Sequence, residues 1–375
     1  MSESKALSHP PWLPAEKTVA NIEFVHTLRG VAILIVVFVH LAGWWLGAHN
    51  RSWIVFEYYK RLWPDPLRLY QAGGHLSVVL FFLISGYIIT HVSFWETQKQ
   101  FIVKRFFRLF PMIVLGCIAM LAMAHLSRFL GHPDPLGFQG NFTLKNFFES
   151  IFLVNWPRGT PYITSVAWTL FIEVVFYALI SAVINHQRRA PLLSTCFILA
   201  VLGAVSLVHH QTTLFKTLHL TELANFTPFV AVLTLGRTFY FLHRSTLPKH
   251  KVLATSLACA FTFAITYHFQ WPGKLLSETL STYYVGAMIF LLLMQWASLR
   301  TPRPLLHISN ISYSFYLLHI PLGCLVLELL NGKIPFSVSF LITLCIAIAT
   351  CTATYQWIEV PFQKFGRKIL RPTRS

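Results

Sequence analysis

Apolar residues in this chain come in runs of about twenty, without the alternation of a strand or the polar stripe of a surface helix. Such runs match the length an α-helix needs to cross a bilayer core. In lipid every backbone N–H and C=O must be satisfied within the segment, and runs of this kind do so as helices. Ten can be drawn, at about 28–47, 73–93, 109–126, 165–184, 192–209, 225–243, 252–270, 278–297, 310–330 and 336–357. Composition agrees: 55% of the 375 residues are hydrophobic and 11% are charged, against about 25% charged in soluble domains. So little charge cannot cover a globule of this length in water. The expected fold is therefore all-α, a polytopic transmembrane helical bundle. Residues 1–27 read as a polar N-terminal segment, 28–357 as the membrane domain and 358–375 as a basic tail. No internal repeat, low-complexity tract or soluble domain is visible.

The formal net charge is +17, from 30 Lys and Arg against 13 Asp and Glu. In a soluble protein that excess would suggest nucleic acid. Here the basic residues sit in short loops between apolar runs, as membrane topology expects, and no nucleic-acid partner is expected. Anionic lipid headgroups, and any anionic co-substrate on that side, benefit instead. With the N-terminus inside, the inner segments hold nineteen Lys and Arg and the outer loops ten, with Arg237 within a span. That bias places both termini in the cytoplasm. The first run is long for a signal peptide and no convincing cleavage site follows, so it is expected to stay as a span. Cys117, Cys196, Cys259, Cys324, Cys345 and Cys351 all lie in apolar runs, without a CxxC pair, and read as small core residues. The two longest outer loops, 48–72 and 127–164, are rich in aromatic and polar residues, among them Trp53, Tyr58, Asn141, Asn155, Trp156 and Tyr162. They suit an extracytoplasmic acceptor surface or, equally, an interfacial aromatic belt.

Ionisable side chains are costly inside a bilayer and point to function by default. The spans contain Arg29, His40, His75, Glu173, Arg237 and His319, with Glu359 at the end of the last. Arg29 and His40 are eleven residues apart on one helix, about three turns, so they share a face roughly 16 Å apart. An Arg at the cytoplasmic mouth can hold a phosphate. A His deeper in can take a proton from a hydroxyl. A donor with a phosphorylated head and a long arm ending in a reactive group fits that spacing, and coenzyme A thioesters have that shape. The blander alternative is an Arg snorkelling to the interface and a His bonded to a neighbouring helix. Glu173 is expected at a depth similar to His40. It could orient the imidazole, as acids do at other acyl-transfer sites, or pair with Arg237. No metal-ligand spacing and no nucleotide-binding glycine loop is present.

The same residues resemble a family pattern. Leu28-Arg29-Gly30-Val31-Ala32 through His40 is similar to the Arg-x10-His signature of acyltransferase family 3, integral-membrane O-acyltransferases of bacterial surface sugars and related acceptors. Five further segments resemble that family in its order: 74–87 (GHLSVVLFFLISGY), 104–111 (KRFFRLFP), 168–177 (WTLFIEVVFY), 309–321 (SNISYSFYLLHIP) and 358–361 (IEVP). The similarity spans residues 25–361. Two positions depart from it: His26, where the family often has Asp, and Val360, where it often has Arg. Larger members carry a fused extracytoplasmic esterase-like domain, which is not expected in this chain.

The resemblance implies a multi-pass protein of the bacterial inner membrane, surrounded by membrane lipid, with no permanently bound cofactor. Its co-substrate would be a cytoplasmic acyl-CoA, with acetyl-CoA the first choice, and its acceptor a carbohydrate outside, such as O-antigen or exopolysaccharide. Arg29, Arg105 and Arg108 would hold the donor's phosphates, because planar guanidinium forks donate in pairs. His40 would act as general base or take the acyl group covalently, and Glu173 would orient it or compensate charge. Ser85, Tyr316 and His319 would supply hydrogen bonds near the tunnel; for Ser85 the rival role is close helix packing beside Gly86. Arg237 could serve a charged acyl group such as succinyl. Glu359 would form a structural ion pair with Arg29, Arg105 or Arg367, and Gly30, Gly86 and Pro111 read as structural. Two other functions compete. One is a glycolipid transporter or flippase, which buried charges and basic loops also fit. The other is a non-catalytic partner of a polysaccharide assembly complex.

Overall fold

The computed structural model describes residues 23–131, 143–271, 276–296 and 300–370. Most of the expected N-terminal segment, together with Lys5, Lys17, Asn141, Lys274, Arg371 and Arg374, lies outside the described residues. Among the described residues every regular element is a helix. Helices occur at all ten expected segments: α1 (Glu23–Ala48), α2 (Gly74–Ser93), α3 (Gln98–Phe129), α4 (Ala167–Val183), α5 (Pro191–Gln211), α6 (Thr227–His243), α7 (Lys249–Gln270), α8 (Leu276–Gln295), α9 (Ser312–Leu330) and α10 (Phe336–Ile369). Eight are long and apolar enough to cross a membrane. The other two, α4 and α6, have 17 residues each, about 26 Å of helix. The protein is a multi-pass, all-α membrane bundle.

Apolar runs mark only the part of a helix that meets hydrocarbon, so three helices outrun their expected limits. The first, α1, starts at Glu23, inside the expected N-terminal segment. At the other end, α10 continues to Ile369 through the expected tail. The largest change is in α3, which begins at Gln98, well before 109. There the Thr97 hydroxyl accepts from Gln100 N–H while the Gln100 side chain accepts from Thr97 N–H, a capping box that closes the first turn. The extra turns carry Lys104, Arg105 and Arg108 on an ordered helix instead of a loop.

The central helix is α2, with 78% of its apolar window buried, against 28% for α7 and for α10. It meets α6 backbone to backbone. A Cβ on Gly86 would overlap the Leu233 carbonyl, and one on Gly236 would overlap the Leu83 carbonyl. This reciprocal pair is the close approach that small residues permit between membrane helices. The periphery is apolar in the other direction: Leu253, Leu257 and Phe261 of α7 are 62%, 62% and 67% exposed. A row like that belongs against lipid. Buried hydroxyls are satisfied locally, as where Thr90, Thr195 and Thr234 donate to carbonyls four residues back. Of the cysteines, Cys196 and Cys345 turn out to be exposed on the bundle exterior, while the other four are buried.

Among the described residues two wide π turns interrupt otherwise regular helices. One, Val39–Trp44, lies in α1 and contains His40. The other, Tyr355–Glu359, lies in α10 and ends on Glu359. Such turns recur at functional positions because they re-aim a side chain without ending the helix.

Candidate active site

Cations gather where α2 ends and α3 begins, and a cavity open to solvent lies at this basic end. Its walls carry Arg29, Lys104, Arg105, Arg108 and Arg367 against two acids, Glu96 and Glu359. Glu96 Oε1 takes Lys104 Nζ at 2.9 Å and lies 3.9 Å from Arg105. The Arg105 guanidinium rests over Phe101, 5.8 Å from the ring centre. Among the described residues Glu359 forms no ion pair with Arg29, Arg105 or Arg367. Its carboxylate accepts from Ser314 Oγ at 2.8 Å and Gln363 Nε2 at 3.2 Å, because the π turn hands it to α9 and to its own next turn. Arg29 and Arg108 have neither a hydrogen bond nor an ion pair among the described residues, and both face the open space.

A second, much narrower chamber continues inward and shares Arg29, Arg108, Ser312 and Tyr313 with the first. Its polar wall is Ser85, Thr169, Glu173 and Tyr316; its apolar wall includes Val78, Phe81, Phe82 and Leu170. Glu173 accepts from Ser85 Oγ at 3.0 Å and from Tyr177 OH at 2.5 Å. Neither expected partner, His40 or Arg237, bonds to it among the described residues. The reason is register. Tyr316 of α9 meets Thr169 of α4, hydroxyl to hydroxyl at 2.9 Å. Glu173 lies one turn from that contact toward the basic end, whereas His319 lies one turn from it the other way. Glu173 and His40 are therefore not at one depth.

His319 is where His40 finds its partner. His40 Nδ1 and His319 Nε2 are 2.8 Å apart, and His319 is 0% exposed. His319 Nδ1 in turn lies 2.8 Å from the Tyr316 carbonyl and 3.1 Å from that of Phe315. Tyr316 OH also reaches the Val166 carbonyl at 3.2 Å. The inner chamber thus ends on Tyr316, and the two histidines form the next rung beyond it. Gly323 explains how α1 and α9 come so close: a Cβ there would overlap the Leu41 side chain, next to His40.

The remaining expectations sort clearly. Ser85 and Gly86 divide the two roles weighed for them, one bonded to Glu173 on the chamber wall, the other packed on α6. Gly30 packs against Leu305. Arg237 is remote from both cavities: it donates to Gln187 Oε1 at 2.7 Å and Thr195 Oγ1 at 3.0 Å, over the Phe241 ring. His75 bonds Tyr283 OH at 3.0 Å, and His26 lies 3.2 Å from Ser309 Oγ. Among the lining residues not singled out from sequence are Thr169, Ser312 and Tyr313, and Tyr177 holds Glu173 from behind the wall. Tyr177 was within reach, since it stands one helical turn from Glu173. No cluster of three His, Cys, Asp or Glu side chains suited to a metal occurs among the described residues. A cationic antechamber, a narrow partly apolar passage and an imidazole beyond it suit a ligand with an anionic head and a slender arm that carries the reacting group.

Residues 22–356 match the family model described as an acyltransferase domain. The chain is 25% identical over 336 residues to the O-acetyltransferase OatA of Staphylococcus aureus, covering 79% of this chain and 54% of that protein. It is 24% identical over 381 residues to the peptidoglycan O-acetyltransferase OatA of Listeria monocytogenes, covering 90% and 55%. A Rhizobium radiobacter protein called protein 2 in the picA locus is 30% identical over 154 residues, covering 36% and 78%. The chain spans about half the length of the OatA relatives it matches. No solved structure matches it.

Proposed function

The chain belongs to acyltransferase family 3, and from that membership we propose that it is an O-acetyltransferase taking acetyl groups from acetyl-CoA to a carbohydrate hydroxyl across the membrane. The observation that carries this reading is the unpaired couple Arg29 and Arg108 at the junction of the two cavities. Both are half-buried and feel the carboxylates of Glu173 and Glu359, yet their N–H donors bond to nothing among the described residues and stay open to a ligand. An anionic ligand supplies the missing partner. The phosphates of CoA suit Arg29, Arg105 and Arg108, with Lys104 beside them, since charge-assisted bonds to phosphate are the strong ones. The basic end is the cytoplasmic end in this reading, by the bias of Lys and Arg between loops. The membrane is the bacterial inner membrane, where cytoplasmic acyl-CoA and surface glycan meet.

The arm of CoA then lies along the inner chamber, its thioester passing Tyr316 toward His40. His40 takes the proton from the acceptor hydroxyl as the oxygen attacks the thioester carbon. The C–O bond forms, the C–S bond breaks, and the proton ends on the departing sulfur as free CoA thiol. Glu173, held by Ser85 and Tyr177, is placed to balance the two arginines and not to orient the imidazole. The acceptor is a surface glycan. The name of the Listeria relative adds peptidoglycan to O-antigen and exopolysaccharide as acceptors to try.

The test is acyl transfer in inverted membrane vesicles supplied with acetyl-CoA labelled in its acetyl group. Wild type and His40→Ala are compared at matched expression, following free CoA and label in carbohydrate. Label in a sugar fraction and CoA release, both lost in His40→Ala, are expected. With native glycan present, absence of CoA release from wild type would reject acetyl-CoA as donor and favour a glycolipid flippase.

A further inference from the structure

We infer that His319 is a positioning residue that decides which nitrogen of His40 reacts. The inference rests on the acetyl-transfer reading above. It begins with the hydrogen positions. His319 Nδ1 faces two carbonyl oxygens, those of Tyr316 and Phe315, at 2.8 and 3.1 Å. Carbonyl oxygens only accept, so Nδ1 of His319 carries the hydrogen. A neutral imidazole protonated there offers its Nε2 as a lone pair. His40 Nδ1 lies 2.8 Å from that Nε2. Two lone pairs do not face each other at such a distance, so His40 Nδ1 is the donor. Neutral His40 is thereby fixed in the form whose free lone pair is on Nε2, and Nε2 has no protein partner among the described residues.

The ring geometry supports a true in-plane bond. The two imidazole planes are 9° apart and their centres 5.1 Å apart. That separation is what two rings joined end to end by a bond of this length require, so they lie edge to edge in nearly one plane. The couple is also rigidly held. The carbonyl that orders His319 belongs to Tyr316, whose own hydroxyl is tied to Thr169 and the Val166 carbonyl. On the other side, Gly323 admits Leu41 against α9. When His40 takes the acceptor's proton on Nε2, its Nδ1–H bond to His319 becomes charge-assisted and strengthens. A neutral imidazole thus does what a carboxylate does in other acyl-transfer sites.

Two substitutions separate this role from packing. His319→Gln keeps an acceptor oxygen near the place of Nε2 and so keeps the tautomer. His319→Phe fills the volume and removes the acceptor. Purified full-length protein that elutes as a single species is assayed for CoA release, with KM for acetyl-CoA taken separately from kcat. Expected is a kcat within about ten-fold of wild type for the Gln variant and a loss of about a hundred-fold or more for Phe. KM for acetyl-CoA should stay unchanged in both. Equal losses in the two variants, a loss carried by KM, or a Phe variant as fast as wild type would each overturn the inference. Wild type and His40→Ala run alongside. If wild type releases no CoA, the acetyl-transfer reading fails and takes the inference with it. If those two behave as expected and the His319 variants do not, the inference alone falls.

Discussion

Arg237 and the couple Arg29–Arg108 look alike in sequence, since each is an arginine where a membrane protein should have none. Their surroundings are opposite. Arg237 is 0% exposed and enclosed: Gln187, Thr195 and the face of Phe241 take up its charge, and Gln187 is itself anchored on the Ser93 carbonyl at 3.1 Å. Neutral dipoles and an aromatic face surround it on α6, away from either cavity. Arg29 and Arg108 are half-buried, have no hydrogen bond among the described residues and look into shared open space, with Glu173 and Glu359 as counter-charges. A buried charge is costly wherever it sits. At Arg237 the protein meets most of that cost with its own groups, Nη2 being the one nitrogen without a hydrogen-bond partner among the described residues, and the result is architecture. At Arg29 and Arg108 the account stays open until an anion arrives.

The sharpest attack on this contrast is the double variant Arg29→Gln/Arg108→Gln. Each lost charge-assisted bond is worth about 1.5–3 kcal/mol, so KM for acetyl-CoA should rise by about a thousand-fold, with thermal stability in detergent not lowered. An unmoved KM would end the distinction. Arg29→Gln alone should raise KM by about thirty-fold, and Arg29→Lys should recover only part of that, because an ammonium cannot bridge two phosphate oxygens. Arg237→Met is the converse. It strands the Gln187 and Thr195 partners, lowering stability by about 2 kcal/mol as followed by thermal unfolding. KM for acetyl-CoA should hold, and a parallel rise in KM would show that Arg237 also serves the donor. The smallest effect is expected of Arg367→Gln, at the exposed rim of the outer cavity. Its KM change should stay below about two-fold and vanish in high salt.

Local spacing carried much of the site. Arg29 and His40 share α1, so eleven residues translate directly into a face and a distance. The cations of α3 sat next to one another in a motif and needed only the capped extension at Gln98 to be placed. What sequence could not supply were meetings between distant segments. His40 and His319 are 279 positions apart, and Ser85 and Glu173 are 88 apart. Both meetings depend on how far one helix slides along another. That slide is set by close contacts such as Gly86 on Leu233 and Gly323 on Leu41. The same unknown is why sequence sets Glu173 at the depth of His40, whereas the contact between Thr169 and Tyr316 separates them. Arg237 failed for a related reason. Its partners Gln187 and Thr195 come from a loop and from α5, and nothing in the chain's order shows that they close around it.

The narrow inner chamber bears on how a cell stays energised. A membrane holding a voltage charges about 2.3 kcal/mol per elementary charge for each 100 mV, and any water-filled conduit between the two sides would discharge it. Here Phe81, Phe82 and Leu170 line the chamber together with a tyrosine bonded to Thr169 and to the Val166 carbonyl. A hydrated ion would have to shed its water to enter such a gap, at far greater cost than the voltage returns. An uncharged thioester arm carries no such shell. In the acyl-transfer reading proposed above, the narrowness of the chamber acts as insulation, letting an acyl group cross while the ion gradients stand.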